Sequence, residues 1–334
     1  MKAEHILGID ISKRKFDVHL RTTLETDARH RETFDNTQSG FTALEKWLTA
    51  HKIQHLHACL ESTSRYGDAL ATFLHQRRHR VSLVNPLRTH HYASSRMVRT
   101  QNDVIDAQLI ADFCATERQT LATWEPLSSA HRQLQDLTRA RQVLVEEKED
   151  FANRLETATG FVRKIFQRQI ASFEREITKL EKALKELIHQ NSELKVPIEL
   201  ADSVTGVGLI TAATVVAELP PISRLPQARQ AVAFAGLDPA KKTSGDSVAT
   251  APRMSRKGSP RLRKALYMPA MVALQHNEVV RALGQRLALK GKTGKCVVAA
   301  AMRKLLRLIY GTIKTGCPFD PTWKNPSAPQ PKVQ

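Results

Sequence analysis

Apolar and polar positions alternate over short stretches up to about residue 120. Three strands come first in this pattern, at residues 6–11, 15–21 and 29–34. Helices and strands then alternate, with helices predicted at 42–50, 68–76 and 104–116 and strands at 55–60 and 80–85, the last closed by Pro86. Three strands followed by this alternation predict a mixed α/β sheet.

A helical period replaces this pattern between about residues 128 and 194. Apolar residues recur there every three or four positions, with charges between them, and the stretch contains no proline and one glycine, Gly160. This predicts a long antiparallel coiled-coil hairpin that turns near Gly160 and ends at Val196-Pro197. Because one hairpin cannot bury a wide core alone, we expect it to pair with a second protomer. An internal helical bundle is the alternative.

The last third of the chain is predicted to be mainly helical, with helices at 209–219, 227–235, 260–276 and 295–314. Before the first of these, Ser203-Val-Thr-Gly-Val-Gly208 resembles a helix-hairpin-helix turn whose N–H groups can hold a phosphate; a plain packing turn is the alternative. The predicted domains are an α/β domain at 1–125, an oligomerising hairpin at 126–196, a basic helical domain at 197–320 and an irregular tail at 321–334.

The charge of the chain is strongly positive and unevenly distributed. The formal net charge is +18, and residues 241–314 contain 17 lysines and arginines against two acids, Asp246 and Glu278. Such a segment predicts a polyanionic partner, most simply nucleic acid, with a solvated basic face as the alternative.

Cysteine usage and hydropathy indicate an intracellular protein. The four cysteines are scattered and form no C-x-x-C pair, so they predict reduced thiols rather than a zinc site or disulfides. The first residues lack a signal-peptide core, and no apolar run reaches the length of a membrane span. We therefore expect a soluble cytoplasmic protein with no membrane partner.

Four acidic residues stand where a metal-dependent nuclease of the ribonuclease-H type would place them. Asp10 and Glu61 each end an apolar run, and Asp103 and Asp106 lie three apart on one face of a predicted helix. Converging carboxylates repel one another and need a cation, so the four predict a site for one or two Mg²⁺ or Mn²⁺ ions. Taken singly, Asp103 could cap its helix, Asp106 could interact with the helix dipole, and Glu61 could cap its strand.

Several sequence blocks resemble the DEDD transposases of bacterial insertion sequences. In the first third these are Gly8-Ile-Asp-Ile-Ser12, Leu60-Glu-Ser-Thr-Ser-Arg-Tyr66 and Asn102-Asp-Val-Ile-Asp-Ala-Gln-Leu-Ile-Ala111. In the last third they are Ala233-Phe-Ala-Gly-Leu-Asp-Pro239, Ser244-Gly-Asp-Ser-Val248, Met254-Ser-Arg-Lys-Gly258 and the start of the helix at Arg261. The resemblance covers residues 4–320. Gln101-Asn102 departs from the Lys-Thr that the family often has, and leaves the four acids intact.

This resemblance implies a fold and a reaction. The fold would be a RuvC-like, ribonuclease-H-like domain carrying the four acids, then the hairpin and a mainly helical second transposase domain. The reaction would be recombination of donor and target DNA, guided by a structured bridge RNA. The protein would form a dimer on each DNA and a tetramer in the synaptic complex. It would be a bacterial, nucleoid-associated protein. Ser244, with Ser247 as its nearest rival, would attack the scissile phosphate and hold a 5′-phosphoserine link. From the residues alone, Ser244 is an ordinary serine in a Thr-Ser-Gly turn.

Basic residues around Ser244 are expected to contact nucleic-acid phosphates; they are Lys241, Lys242, Arg253, Arg256, Lys257, Arg261, Arg263 and Lys264. With RNA guidance, base pairing would supply sequence specificity, and the protein would recognise backbone and duplex shape. Because the hairpin separates the acids from Ser244, we expect the acids of one protomer to meet the serine of another.

Two other functions fit parts of the sequence. A Mg²⁺-dependent junction resolvase would hydrolyse DNA with water and would need no serine. An RNA-binding scaffold would keep only a degenerate nuclease fold. The basic last third and the Ser244 block favour a recombinase over a resolvase, and the four intact acids argue against a scaffold.

Overall fold

A computed structural model of the chain describes residues 5–22, 29–61, 65–96, 103–240, 243–244, 248–249 and 253–322. The chain forms two compact units, Met1–Leu127 and Ser128–Gln334, each with a hydrophobic core of its own. The finer division of the second unit into a hairpin, a basic domain and a tail stays a prediction.

In the described part of the first unit, one mixed sheet contains the strands β1 (His5–Ile11), β2 (Lys15–Arg21), β3 (Arg29–Asp35), β4 (Leu56–Glu61) and β5 (Arg80–Val84). The strand order is β3-β2-β1-β4-β5. β1, β2 and β3 pair antiparallel, whereas β1, β4 and β5 are parallel. The predicted mixed α/β class is confirmed, and the narrower ribonuclease-H-like assignment stays a prediction.

Four α-helices are described in this unit: α1 (Gln38–Ala50), α2 (Asp68–Gln76), α3 (Pro86–Ser95) and α4 (Asp103–Glu117). The sequence predicted all of them except α3, because Pro86 was interpreted only as the end of a strand. Pro86 instead takes the first helical position, where the missing N–H costs nothing, and the Asn85 side chain accepts from the Leu87 N–H at 2.8 Å.

The two faces of the sheet carry different partners because successive strand residues point to opposite sides. Leu7, Ile9 and Ile11 of β1 pack in the cluster that includes residues of α1 and α2. Ile6 packs instead with residues of α4, as does Cys59 of β4. Asp10 shares the parity of Ile6 and Gly8, so its side chain belongs to the face that α4 covers.

Gly8 allows α4 to lie directly against β1. A Cβ at this position would stand 2.2 Å from the Ala107 carbonyl oxygen and 2.4 Å from the Ala111 nitrogen. Arg21, which pairs with Ile6 across the sheet, binds Asp112 further along α4 at 3.1 Å. The helix therefore runs opposite to β1, and its first turn lies toward the carboxyl end of that strand.

The second unit is mainly helical. Its described helices are α5 (Ser129–Thr157), α6 (Gly160–Gln190), α7 (Ser192–Asp202), α8 (Leu209–Glu218), α9 (Ala228–Phe234), α10 (Pro260–His276), α11 (Glu278–Leu289) and α12 (Gly294–Thr315). Two short antiparallel pairs lie between α9 and α10: β6 (Pro239–Ala240) with β9 (Arg253–Met254), and β7 (Thr243–Ser244) with β8 (Val248–Ala249).

α5 and α6 form an antiparallel helical pair. Arg141 of α5 binds Glu181 of α6 at 2.7 Å, and seven residues later Lys148 binds Glu174 at 3.6 Å. The chain turns at residues 158–159, immediately before Gly160, which has a φ of +55°. The coiled-coil character of this pair and its role in oligomerisation stay predictions.

The prediction that Val196-Pro197 ends the hairpin was wrong. α6 ends at Gln190, and after Asn191 the helix α7 begins at Ser192 and contains Pro197. A proline inside a helix costs roughly 3 kcal/mol. Burial of Leu194, Ile198 and Ala201 on one face of α7 offsets that cost.

The helix α11 was not predicted. Its cap, Asn277, is 1% exposed, and its side-chain oxygen accepts from the Val279 and Val280 N–H groups. The Asn277 amide also donates to the Thr205 carbonyl oxygen, a contact made only in the folded chain. Within the described residues, none of the helices is both long enough and apolar enough to cross a membrane.

We predict that Gly8→Ala lowers the free energy of unfolding of the first unit by about 1–3 kcal/mol, because the added carbon meets the α4 backbone. Denaturant unfolding followed by circular dichroism and tryptophan fluorescence measures the effect. Gly311→Ala is the control: this α12 glycine has open space beside it, and alanine there should stabilise by about 0.5–1 kcal/mol. Equal effects of the two changes would refute the close-packing argument.

Candidate active site

Asp10 and Glu61 lie side by side at the ends of neighbouring strands. β1 and β4 run parallel with Ile9 opposite Leu60, so the next residue of each strand is an acid. Both belong to the sheet face covered by α4, since Glu61 shares the parity of Cys59. The sequence-based placement of these two acids at converging strand ends therefore agrees with the strand register.

The environment of Glu61 disfavours its charge. Burial is the main cause that raises the pKa of this carboxyl, and the nearby charge of Asp106 raises it further. A hydrogen bond from the Thr89 hydroxyl to Glu61 Oε2 at 3.0 Å opposes both. The fold thus brings a β4 carboxylate and an α4 carboxylate within electrostatic reach of each other.

Asp103 and Asp106 occupy the first turn of α4. Asp103 begins the helix, although its side chain is outside the described part of the structure, and Asp106 is half-buried. Because α4 runs opposite to β1, this turn lies toward the strand ends that carry Asp10 and Glu61. Three described acids from three elements therefore face one region, with the Asp103 backbone one turn earlier.

The donor chemistry of this region fits a hard divalent cation. Carboxylate oxygens are the ligands that Mg²⁺ and Mn²⁺ prefer. Such an ion would also remove the repulsion that raises the Glu61 pKa. Asp10, Glu61, Asp103 and Asp106 are the residues that would hold it.

Two residues next to the acids, Thr89 and Asp17, were not predicted from the sequence. Thr89 is 3% exposed and belongs to the unpredicted helix α3, so its bond to Glu61 could not be foreseen. Asp17 stands directly opposite Asp10 on β2, accepts from Thr33 Oγ1 at 2.5 Å and pairs with Lys15 at 3.3 Å. The short turn between β1 and β2 sets the register of this hairpin, so it was the sequence signal that could have revealed Asp17.

A second group of ligand-type side chains lies beneath the acids. His57, Cys59 and Cys114 are buried, with donor atoms within 4.8 Å of one another. Ser82 donates to the Ala122 carbonyl oxygen at 2.8 Å and so accepts from His57 Nε2 at 2.9 Å, which leaves Nδ1 facing Cys114 Sγ at 3.5 Å.

The Cys114 thiol titrates at an unusually low pH for a cysteine. Hydrogen bonding to Cys59, and then to His57, lowers the pKa of Cys114 to about 6. These soft donors differ in kind from the acids and suit a thiophilic ion better than Mg²⁺. The cysteines are scattered in the sequence, and the fold joins two of them where α4 packs on β4. None of the four, all of which are described, forms a disulfide.

Ser244 lies on a short β-ribbon rather than in a loop. It pairs with Val248 in the β7–β8 ladder, and the β6–β9 pair flanks this ribbon in the sequence. The side chain of Ser244 is outside the described part of the structure, and Ser247, Lys241 and Lys242 lie wholly outside the described residues.

The other basic residues expected at nucleic acid divide into two groups. Arg253, Arg256, Lys257 and Arg261 are exposed. Arg263 Nη1 donates to the carbonyl oxygens of Ala235, Gly258 and Ser259, and Lys264 pairs with Glu146 of α5 at 2.7 Å. Arg263 thus holds the turn before α10 together, and the nucleic-acid contacts of all these residues stay predictions.

Known proteins resemble the chain over nearly its whole length. Residues 7–159 match a family model described as a transposase, of the DEDD type of IS110, and residues 198–285 match the model described as transposase, IS116/IS110/IS902 family. The pilin gene-inverting proteins of Moraxella lacunata and Moraxella bovis are each 32% identical over 321 residues, which is 94% of this chain and 97% of theirs.

Solved structures resemble a smaller part of the chain. Thermus thermophilus RuvC is 13% identical with a TM-score of 0.29, and covers 36% of this chain and 99% of its own. RuvC of the same organism in complex with a Holliday junction substrate is 10% identical with the same TM-score.

We predict that Glu61→Gln changes the pH dependence of stability in the presence of EDTA. Because the folded-state pKa of Glu61 is raised, the wild-type fold holds its proton more tightly than the unfolded chain does. Wild-type stability therefore falls as pH rises from the unfolded pKa through the folded one, and the glutamine variant lacks that loss. The unfolding free energy of Glu61→Gln relative to that of the wild type should therefore be higher at pH 8 than at pH 4.

Denaturant unfolding at several pH values tests this. Glu156→Gln, an exposed position in α5, is the matched control and should show the wild-type profile. A Glu61→Gln profile parallel to that of the wild type would contradict the assigned environment of Glu61.

Proposed function

The chain belongs to the IS116/IS110/IS902 family of transposases, and from this premise we propose a metal-assisted DNA recombinase that is guided by a bridge RNA and uses a serine nucleophile. The observation that carries the catalytic part is the convergence of Asp10, Glu61 and the first turn of α4 at one edge of the sheet. A ribonuclease-H-like, RuvC-like fold for the first unit is part of the proposal.

The acids would hold one or two Mg²⁺ or Mn²⁺ ions. When bound, such ions lower the pKa of an attacking oxygen and stabilise charge on the leaving oxygen. The Thr89 hydroxyl orients Glu61, and its one proton is shared between Glu61 Oε2 at 3.0 Å and the Pro86 carbonyl oxygen at 2.9 Å. Residues that orient a ligating carboxylate in this way typically contribute about 10- to 100-fold in metal affinity or activity.

Ser244 is the proposed nucleophile, with Ser247 as its rival. Its Oγ forms a bond to the scissile phosphorus while the bond from phosphorus to the 3′ oxygen breaks, and the hydroxyl proton passes to solvent or to the leaving oxygen. A 5′-phosphoserine and a free 3′ hydroxyl result. Attack of a 3′ hydroxyl on this ester reverses the step, so strands rejoin without ATP.

Surface features of the second unit support a nucleic-acid partner and self-association. Arg253, Arg256 and Lys257 are exposed close in sequence to the Ser244 ribbon. At the turn of the α5–α6 pair, Phe161 and Val162 are 77% and 48% exposed, as a surface that pairs with a second copy would have them. Donor DNA, target DNA, bridge RNA and a dimer that assembles into a tetramer are the proposed partners.

We predict that Asp10→Asn, Glu61→Gln and Asp106→Asn each lower DNA cleavage by about 100-fold or more in Mg²⁺, and that Thr89→Val lowers it by about 10-fold. Labelled donor and target DNA, incubated with the protein and its element-end RNA, provide the assay. Thr42→Val is the control for Thr89, because Thr42 is an exposed α1 residue whose hydroxyl bonds only a backbone carbonyl oxygen. Full activity of Glu61→Gln would contradict the proposed metal site.

We predict a labelled band at protein-plus-DNA mass on a denaturing protein gel, dependent on the RNA and absent in Ser244→Ala. Ser247→Ala is the matched control and should retain the band. Loss of the band in Ser247→Ala alone would move the nucleophile to Ser247. Cleavage without any covalent adduct would return the protein to the hydrolytic resolvase class, in which water attacks the phosphate.

We predict that chains carrying Asp10→Asn complement chains carrying Ser244→Ala. Each variant alone should be inactive, whereas a co-expressed mixture should recover part of the wild-type recombination, because one protomer supplies the acids and another the serine. Activity that stays absent in every mixed assembly would contradict assembly of the site between protomers.

A further inference from the structure

A basic cleft lies in the second unit between α11, α12 and the β6–β9 pair. Its volume is about 1160 Å³. Arg286 of α11 lines it, and α12 contributes Lys295, Arg303, Lys304 and Arg307. Arg253 and Arg256, from β9 and the segment after it, complete the lining cations, and no described lining residue is acidic. Of these seven cations, only Arg253 and Arg256 were predicted from the sequence to contact nucleic acid.

The α12 residues form one face of a helix. Lys295, Ala299, Arg303 and Arg307 are spaced four apart, and Ala299 and Ala300 leave room between the cations. Arg303 and Arg307 lie one turn apart, about 6 Å along the helix axis, so they can contact separate phosphates of one strand. This arrangement differs from a solvated basic face, where long side chains point outward without a shared concavity.

The cations are crowded rather than neutralised. Burial, together with the charges of Arg307 and Arg286, lowers the pKa of Lys304. Arg303 Nε is buried and has no hydrogen-bond partner among the described residues. Two acids are next in sequence to lining residues: Asp238 accepts from Ser255 Oγ at 2.5 Å, and Glu278 is exposed in the first turn of α11. Like charges held together in this way favour an anion with several charges at fixed spacing.

The start of α12 adds backbone donors to the same cleft. Lys295 and Cys296 of its first turn line the cleft, and the Thr293 side chain makes no capping hydrogen bond. The first N–H groups of a 22-residue helix are therefore available to an anion, with the helix dipole in the favourable sense.

We propose that this cleft binds the phosphodiester backbone of a nucleic-acid strand and positions that strand for the reaction at the Ser244 ribbon. Pro239 and Arg253 line the cleft and belong to the β6–β9 pair, and the Ser244 strand begins three residues after Ala240. The position of the cleft at the base of the ribbon makes it a positioning site. The role of the cleft in the reaction rests on the proposed function. The binding of a nucleic-acid strand rests on the cleft alone.

The first test is the salt dependence of binding by the full-length chain in EDTA, where no cleavage contributes. Fluorescence anisotropy with a 30-base-pair DNA duplex and, separately, a 30-base-pair RNA duplex gives the affinity from 50 to 300 mM NaCl. The test variant combines Arg286→Gln, Arg303→Gln and Arg307→Gln. Each lost phosphate contact makes the slope of log affinity against log salt shallower by about 0.9 on DNA, so the slope of this variant should be shallower by about 2.7.

The matched control removes three charges elsewhere, with Lys179→Gln, Lys182→Gln and Lys185→Gln on the exposed face of α6. The triple Arg→Lys variant of the cleft should keep a slope near that of the wild type, because the charges remain. A slope change in the cleft variant that exceeds the control for DNA, RNA or both supports the inference and identifies the strand. A change no larger than the control with both probes overturns it.

A second measurement uses the wild-type chain and avoids misfolded variants. Cys296 is exposed and lines the cleft, whereas Cys317 is exposed beyond the other end of α12. Bound duplex should slow alkylation of Cys296 by at least about fivefold, relative to Cys317, as measured by mass spectrometry. Equal rates at both thiols with saturating DNA and RNA would overturn the inference.

The two proposals fail separately. If the cleft variants lose binding but no strand is ever cut, the binding inference stands and the recombinase proposal falls. If cleavage and the covalent adduct are found while the cleft variants bind like the control, the recombinase proposal stands and the cleft inference falls.

Discussion

The close contact of α4 with β1 at Gly8 is the constraint on which the candidate site depends. Because the Ala107 carbonyl oxygen occupies the space where a Cβ would stand, the helix lies against the sheet without an intervening side-chain layer. Asp106 precedes Ala107, and Asp10 follows Gly8 by two residues. The backbone contact therefore brings together acids from a strand and a helix, which repel one another. Burial of Ile110, Ala111 and Cys114 stabilises the packing of α4 on the sheet and offsets this repulsion.

Each unit concentrates charges of one sign, carboxylates in the first unit and cations in the second. In the first unit, burial and the Asp106 charge raise the pKa of Glu61. In the second, burial and then the cations Arg307 and Arg286 lower the pKa of Lys304. Neither arrangement is favourable for an isolated chain. Under the proposed function, a divalent cation would relieve the first and a phosphate backbone the second.

The buried polar groups have a structural role that is separate from this chemistry. The chain of contacts from Ala122 through Ser82 and His57 to Cys114 crosses the interface of β4, β5 and α4 and satisfies each polar atom in turn. Asn277 acts similarly in the second unit, where it caps α11 and binds the Thr205 carbonyl oxygen. Such bonds select one packing among many that would bury the same apolar area.

The sequence by itself determined the five strands of the first unit, the helices α1, α2 and α4, the helical pair and the family, because local periodicity and sequence blocks can be recognised without a fold. It predicted Asp10, Glu61 and Asp106 as converging acids, but Thr89 was missed because the helix that carries it begins at a proline that also suits the end of a strand. Only the tertiary structure decided the meeting of Cys59 with Cys114 and the basic cleft that α11 helps to build. These two features depend on contacts between residues far apart in the chain, and local spacing contains no information about them.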